Sequence, residues 1–246
     1  MITAITPTGD RPLAFTLCRQ WMKHQTRRPD QWIVVDDGKV RLMPTSEMQY
    51  IRREPRPDDP KYTLNLNMKS ALPLIAGDKI LIIEDDEYYA PEYIEEMSRQ
   101  LDAHEVVGIM RAKYYHVFSG GYMQVGNTAH ASLAETGFRN SFLRELKELL
   151  VTTSYPYTYL DTQIWSHAGH RGYLFVDLDR PLYLGIKGLP GRGGIGGGHD
   201  PGLYGNTKDM PDKAILKQWV PKDYQVYLDI LSGKLTSENY QSYFPD

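Results

Sequence analysis

Four carboxylates in a row, Glu84-Asp85-Asp86-Glu87, follow directly on four aliphatic residues, Ile80-Leu81-Ile82-Ile83. A short apolar run without alternation suits a strand buried on both faces of a mostly parallel sheet. Such a strand delivers its acids to its carboxyl end, where open α/β sheets bind their ligands. Adjacent anions repel one another, and a hard divalent cation with oxygen ligands is the usual reason to collect them. The competing reading is a solvated acidic turn ahead of the helix that Pro91 opens, since acids are favourable at a helix N-terminus.

A second stretch with chemical content is Gly185–Gly205, which holds Gly188, Gly191, Gly193, Gly194, Gly196, Gly197, Gly198 and Gly202 around His199-Asp200. So much glycine opposes order in a core, so the stretch is expected to be a mobile loop or one that orders on a ligand. After three glycines, His199 can approach a metal with no side chain blocking the backbone, although a lone histidine is more often structural. Lys187 and Arg192 lie in the same loop and could close over a diphosphate as counter-charges, with glycine N–H groups as an anion nest. The stretch is neither a Walker loop nor a dinucleotide fingerprint, for it lacks the Gly-Lys-Ser/Thr ending and a strand–helix junction.

These residues need a scaffold, and the chain supplies one. Met1–Ile5 reads as a strand, Thr6–Pro12 as a loop of turn formers, Leu13–His24 as a helix, and Gln31–Val35 as a second buried strand that ends in Asp36-Asp37-Gly38. This is a βαβ unit with two strand ends opening into polar loops. Tyr50–Arg53 reads as a short strand and Leu64–Ala76 as a helix stopped by Gly77. A helix from Pro91 to Leu101, a strand at Val106–Arg111, a hairpin over Tyr114–Val125 and an amphipathic helix over Phe138–Leu150 follow. Thr158–Ala168 reads as helix and Tyr173–Val176 as strand, and the tail carries two weakly amphipathic segments, Ala214–Trp219 and Asp223–Leu231.

With 246 residues and 41% hydrophobic side chains the chain can bury a sizeable core, and a net charge of -3 advertises neither nucleic acid nor a membrane surface globally. The single cysteine, Cys18, excludes an internal disulfide framework and reads as a buried small hydrophobe in a cytoplasmic protein. No apolar run approaches the ~18–20 residues that span a bilayer. Basic and aromatic residues mix at Arg27-Arg28, Arg52–Arg56, Lys113–His116 and Arg139–Lys147. They could follow a phosphate backbone or be ordinary solvated charges.

In this order the segments resemble a GT-A-fold glycosyltransferase of the family 2 type. Ile5-Thr6-Pro7-Thr8-Gly9-Asp10-Arg11 is similar to that family's strand and Pro-Thr-x-x-Arg loop, which holds the nucleotide. Val34-Val35-Asp36-Asp37-Gly38 resembles its Val-Asp-Asp-Gly segment, and Ile80–Pro91 its metal-binding acidic motif, with Glu84 standing where the family usually has Asp. Tyr159–Trp165 through His170-Arg171-Gly172-Tyr173 resembles the acid-bearing helix and Arg-Gly-Tyr that follow. The resemblance implies a single α/β GT-A (Rossmann-like) domain over residues 1–205, with a mostly parallel central sheet flanked by helices. Its nucleotide-sugar half is 1–110, its acceptor half with the glycine-rich loop is 111–205, and a helical tail, 206–246, packs on the same domain.

The resemblance further implies a divalent metal, Mn2+ or Mg2+, on Asp86 with Asp85 or Glu84 and with His199 as a further ligand. Pro7, Thr8 and Arg11 would shape the nucleotide pocket, and Asp36 or Asp37 would recognise base or ribose. Asp161 would be the catalytic base of an inverting transfer, its competing role being a helix N-cap. The donor is a nucleoside diphosphate sugar, with uracil the commonest base in the family. With no membrane anchor, the acceptor is a soluble glycan or a hydroxymethylated base in DNA. A non-catalytic sugar-nucleotide or carbohydrate-binding module and a sugar nucleotidyltransferase share the fold and stand as alternatives.

Overall fold

The computed structural model describes residues 1–153, 158–177, 181–194, 199–200, 202, 204 and 213–244. β1 (Ile2–Thr8) is buried along its whole length. α1 (Pro12–Lys23) opens on Pro12, whose fixed φ suits a first helical turn, and returns the chain to β2 (Gln31–Asp36). β3 (Gln49–Arg52), α2 (Leu64–Ala71), β4 (Lys79–Ile82), the two-residue β5 (Tyr88–Tyr89) and α3 (Tyr93–Ala103) complete the first half. β6 (Val106–Ile109), β7 (Lys113–His116), β8 (Tyr122–Gln124), β9 (Thr136–Arg139), α4 (Leu143–Thr152), α5 (Leu160–Ala168), β10 (Gly172–Phe175) and β11 (Tyr183–Lys187) follow, then α6 (Lys213–Trp219) and α7 (Tyr224–Leu231).

Among the described residues the central sheet has the order β10-β6-β9-β4-β1-β2-β3. All its pairings are parallel except those of β9, which is antiparallel to both β4 and β6. Strand alternation splits the core into two layers: Leu81 and Ile83 pack with α1 and α3, whereas Ile80 and Ile82 pack with α2, α4 and α5. That two-sided burial is why the strand reads as an unbroken aliphatic run. A second sheet, β5-β11-β7-β8, stands beside the first, and Leu216, Trp219, Val220 and Tyr227 of the tail bury in the same core as its Tyr88, Tyr115 and Tyr183. No helix of the described residues is long and apolar enough to cross a membrane. Cys18 is fully buried.

Three segments differ from the sequence reading. Phe138 is not helical: it pairs with Ile80 and Val106 in β9, and the helix starts only at Leu143. The four-residue spacing of Phe138 and Phe142 arises because a strand end and a short turn bring both rings into one core, their centroids 6.0 Å apart. The helix of α2 ends at Ala71: Leu72 is still helical, but Pro73 has no N–H to continue the ladder, and a single 3-10 turn takes over. Gly77 is therefore not a helix cap. A Cβ there would lie 2.7 Å from the Thr3 hydroxyl, so glycine lets the turn close on β1. Gly185 belongs to β11 rather than to a loop, and Gly196, Gly197, Gly198 and Gly205 lie outside the described residues.

Candidate active site

The carboxyl ends of β1 and β4, the first turn of α5 and the end of β11 converge on one cavity of about 380 Å3. Pro7, Thr8 and Arg11 line it from β1 and its loop, Glu84, Asp86 and Glu87 from the acidic run, Asp161 from α5, and Lys187, Arg192 and His199 from the glycine-rich segment. The cavity thus joins residues up to 192 positions apart, from Pro7 to His199.

The acids are buried and held. Asp85 accepts from the Thr8 hydroxyl at 2.6 Å and lies 3.2 Å from the Arg11 guanidinium, which also reaches Asp86 at 2.5 Å. Glu87 accepts from the Ile186 N–H at 2.5 Å and pairs with Lys187. The Glu84 carboxylate meets no hydrogen-bond donor or cation at ion-pair distance among the described residues, and its backbone N–H donates to the Tyr89 hydroxyl at 2.8 Å. Burial, with Asp86 close by, pushes the Glu84 carboxyl up to about 7, and burial pushes Glu87 to about 8 in spite of Lys187. Burial likewise lifts Asp85 to about 6, against Arg11. Asp86 goes the other way: burial opposes its charge, but Arg11 and Lys187 hold it below the usual carboxylate range. Four carboxylates against Arg11 and Lys187 leave two formal negative charges once all are ionised.

Carboxylate oxygens of Glu84, Asp86 and Glu87 lie within 4.8 Å of one another. A hard, all-oxygen donor set of this size and charge fits Mg2+ or Mn2+. Glu87, absent from the expected ligand set, belongs to this cluster, and His199 does not. The His199 ring lies against Gly194, where a Cβ would be 2.5 Å from Nε2. Burial, reinforced by Lys187, lowers its imidazole to about 4, so it is neutral at neutral pH.

Asp161 lines the same cavity from the first turn of α5, and its carboxylate accepts from the Thr162 N–H at 2.7 Å. Burial raises its carboxyl above the ordinary value, with that hydrogen bond and His130 opposing. It is not the N-cap, which is Tyr159 without a side-chain cap bond.

Asp36 and Asp37 do not line the cavity. Asp36 is fully buried, accepting from the Tyr50 hydroxyl at 2.7 Å and from the N–H groups of Gly38 and Leu42 at 2.8 and 3.0 Å, with Arg52 at 3.3 Å. Asp37 lies between Arg53, at 2.5 Å, and Arg192. Sequence reasoning missed Glu135, buried and pushed to about 8 by that burial. The signal was there in Ser132-Leu133-Ala134-Glu135, a capping box whose Ser132 hydroxyl donates to Glu135 at 2.8 Å.

Part of the basic runs is engaged by neighbouring acids and carbonyls, with Arg27 and Arg28 still exposed. Arg27 pairs with Asp30, Arg28 with Glu47, Arg53 with Asp37 and Asp59, and Lys113 with Asp177, while Arg139 donates to the carbonyls of Leu101 and Asp102. Tyr115 and His116 are buried.

No protein-family model and no curated protein matches the chain. Among solved structures, S. aureus TarS 1-349 matches with a TM-score of 0.54 at 14% identity, over 75% of this chain and 60% of that one. TarS 1-349 in complex with UDP-GlcNAc and with UDP matches with TM-scores of 0.51 and 0.52 at 14% and 12% identity, over 100% and 98% of this chain and 76% and 77% of theirs. The chain spans less than two thirds of the first of these structures. The likeness is one of fold: a mixed α/β domain of GT-A type around a mostly parallel sheet.

Proposed function

We propose that this GT-A-fold chain is a glycosyltransferase that moves a sugar from a nucleoside diphosphate sugar, a UDP-sugar, to an acceptor hydroxyl with inversion. The observation that carries this reading is the cavity itself, which the acidic cluster Glu84, Asp86 and Glu87 shares with the carboxylate of Asp161. S. aureus TarS, of like fold, is known in complex with UDP-GlcNAc and UDP.

Pro7, Thr8 and Arg11 bind the nucleotide end of the donor, and Arg11, Lys187 and Arg192 offset the charge that grows on the departing diphosphate. A divalent cation, Mn2+ or Mg2+, held by Glu84, Asp86 and Glu87 with His199 within reach of the same cavity, supplies Lewis-acid neutralisation of that diphosphate when bound. Asp161 accepts the proton of the acceptor hydroxyl as its oxygen attacks the anomeric carbon and the carbon–diphosphate bond breaks. The elevated carboxyl of Asp161 suits this, because a base with its pKa closer to the working pH competes better for the proton at the transition state. Asp36 and Asp37 act from behind the pocket wall and not on the donor.

The acceptor hydroxyl belongs to a soluble glycan or to a hydroxymethylated base in DNA. Retention of hydroxymethylated duplex at low salt and release as salt rises selects DNA, and indifference to duplex selects the glycan. The transferase reading itself is tested with a panel of UDP-sugars and Mn2+. At least one donor should bind and be hydrolysed or transferred, and Asp86→Ala should abolish this. Indifference to every donor would sink it.

A further inference from the structure

We propose that Asp37 is a positioning residue that seats Arg192, and with it the glycine segment 188–194, over the donor loop Gly9–Arg11. Its functional consequence rests on the donor-site reading above. Asp37 is buried, and both of its carboxylate oxygens are committed. One takes the Arg192 guanidinium and the other takes Arg53 at 2.5 Å. Arg53 is itself fixed, donating to the Asn67 side chain on α2 and to Asp59, each at 2.7 Å. Asp37 is therefore a post anchored from behind, each of its oxygens held by a guanidinium.

The segment that Arg192 brings with it fits the donor loop at backbone distance. The Arg192 N–H donates to the Asp10 carbonyl at 3.3 Å. At Gly9 a Cβ would lie 2.3 Å from the Asp37 carboxylate and 2.4 Å from the Arg192 guanidinium. At Gly191, where φ is +121°, a Cβ would lie 2.6 Å from the Asp10 carbonyl and 2.8 Å from Arg11 Cγ. Glycine stands on both sides of the contact where the two segments cross. This gives part of the glycine-rich stretch a packing role, in addition to any flexibility.

The charges explain why the post matters to the site. Arg192 keeps 31% of its side chain exposed and lines the cavity, whereas Arg53 keeps 13% and does not. With Asp59 sharing Arg53, the four charges balance, and Arg192, the guanidinium that lines the cavity, presents its positive end where an anionic diphosphate would lie. Without Asp37 the two guanidiniums repel, and Arg192 leaves its seat.

The test reads the seat directly. In protein without ligand, Asp37→Asn should speed hydrogen exchange at the Arg192 amide and its neighbours in 188–194 on the order of tenfold, and Arg192→Gln should do the same. Unchanged exchange in both variants overturns the proposal, and if Asp37→Asn does not fold, Arg192→Gln alone decides. For function, UDP affinity should fall in Asp37→Asn and in Arg192→Gln, and the double variant should be no weaker than Arg192→Gln. A further loss in the double variant would mean that Asp37 touches the donor and would overturn the positioning role. If the unmodified protein does not bind UDP, the donor-site reading fails while the exchange experiment still decides this one.

Discussion

The indole N–H of Trp165 donates to the Thr136 hydroxyl at 3.1 Å, and that hydroxyl donates onward to the Ser132 carbonyl at 2.7 Å. Trp165 lies one turn beyond Asp161 on the same face of α5, so the bond ties the helix that carries the candidate base to β9 in the middle of the sheet. Two glycines make room for the ring: a Cβ at Gly108 would lie 2.4 Å from Trp165 Cζ2 and one at Gly172 2.9 Å from Cζ3. Thr136→Val keeps the shape and strands a buried indole N–H. The expected cost is about 1–3 kcal/mol, seen as a lower urea midpoint with an unchanged slope. A midpoint equal to that of the unmodified protein would show that water or another acceptor replaces the hydroxyl.

Stability should depend on pH in a way that a bound cation reverses. Burial raises Glu84 from 4.5 to about 7 and Glu87 from 4.5 to about 8, so the folded chain holds protons that the unfolded chain releases. Stability from these two groups is complete below about pH 4.5 and is lost as pH rises through about 7 to 8. Asp86, shifted down, acts oppositely and only at acid pH. Melting temperature in chelator should therefore fall between about pH 5 and about pH 8. Added Mn2+ should raise it more at the alkaline end, where the ligands are already ionised. A cation effect of equal size at both ends would detach the cluster from metal binding.

How much of this was readable follows from what sequence can encode. Ile80–Glu87 announced both the strand and the acids that line the cavity, because two-sided burial leaves an unbroken aliphatic run and the acids stand beyond it. The hairpin over Tyr114–Val125 was legible from its aromatic and glycine pattern, and β7 and β8 pair there. Phe138 was misplaced because a spacing of four is shared by a helix face and a strand followed by a tight turn. The partners of Asp36 and Asp37 were illegible for another reason. Tyr50, Arg52, Arg53 and Arg192 reach them through β3 and the glycine segment, and no local pattern announces contacts across 155 residues. Glu87 stood in plain view within the acidic run, but only the placement of Lys187 and Ile186 opposite it shows which way it turns.

Gly185 offers a sharper test of the second sheet. A Cβ there would lie 2.1 Å from Tyr114 Cδ1, so the Tyr114 ring packs flat on the glycine of the neighbouring strand. The Lys187 ammonium lies 5.5 Å from the same ring, and Tyr114 lines the cavity. Gly185→Ala must push the ring aside at a cost of roughly 1–3 kcal/mol. Combining it with Tyr114→Ala should cost less than the sum of the two single changes, because the clash disappears with the ring. Additive unfolding free energies in the four-protein cycle would place the strain elsewhere.

The role of Asp161 is open to a pH–rate measurement. Burial raises its carboxyl above 3.8, so the base is protonated, and idle, at a higher pH than an exposed aspartate would be. With donor and cation saturating, kcat for transfer should climb with pH on an acid limb whose apparent pKa lies above the ordinary aspartate value, then level off. Saturating cation matters here, since Glu84 and Glu87 would otherwise add their own protonation to the limb. Asp161→Asn should flatten the limb and lower kcat by about 100-fold or more, while UDP affinity stays near that of the unmodified protein because Asp161 makes no ion pair or hydrogen bond with Arg11, Lys187 or the acids among the described residues. A limb that survives in Asp161→Asn would belong to another group, and the base would have to be sought elsewhere on the cavity wall.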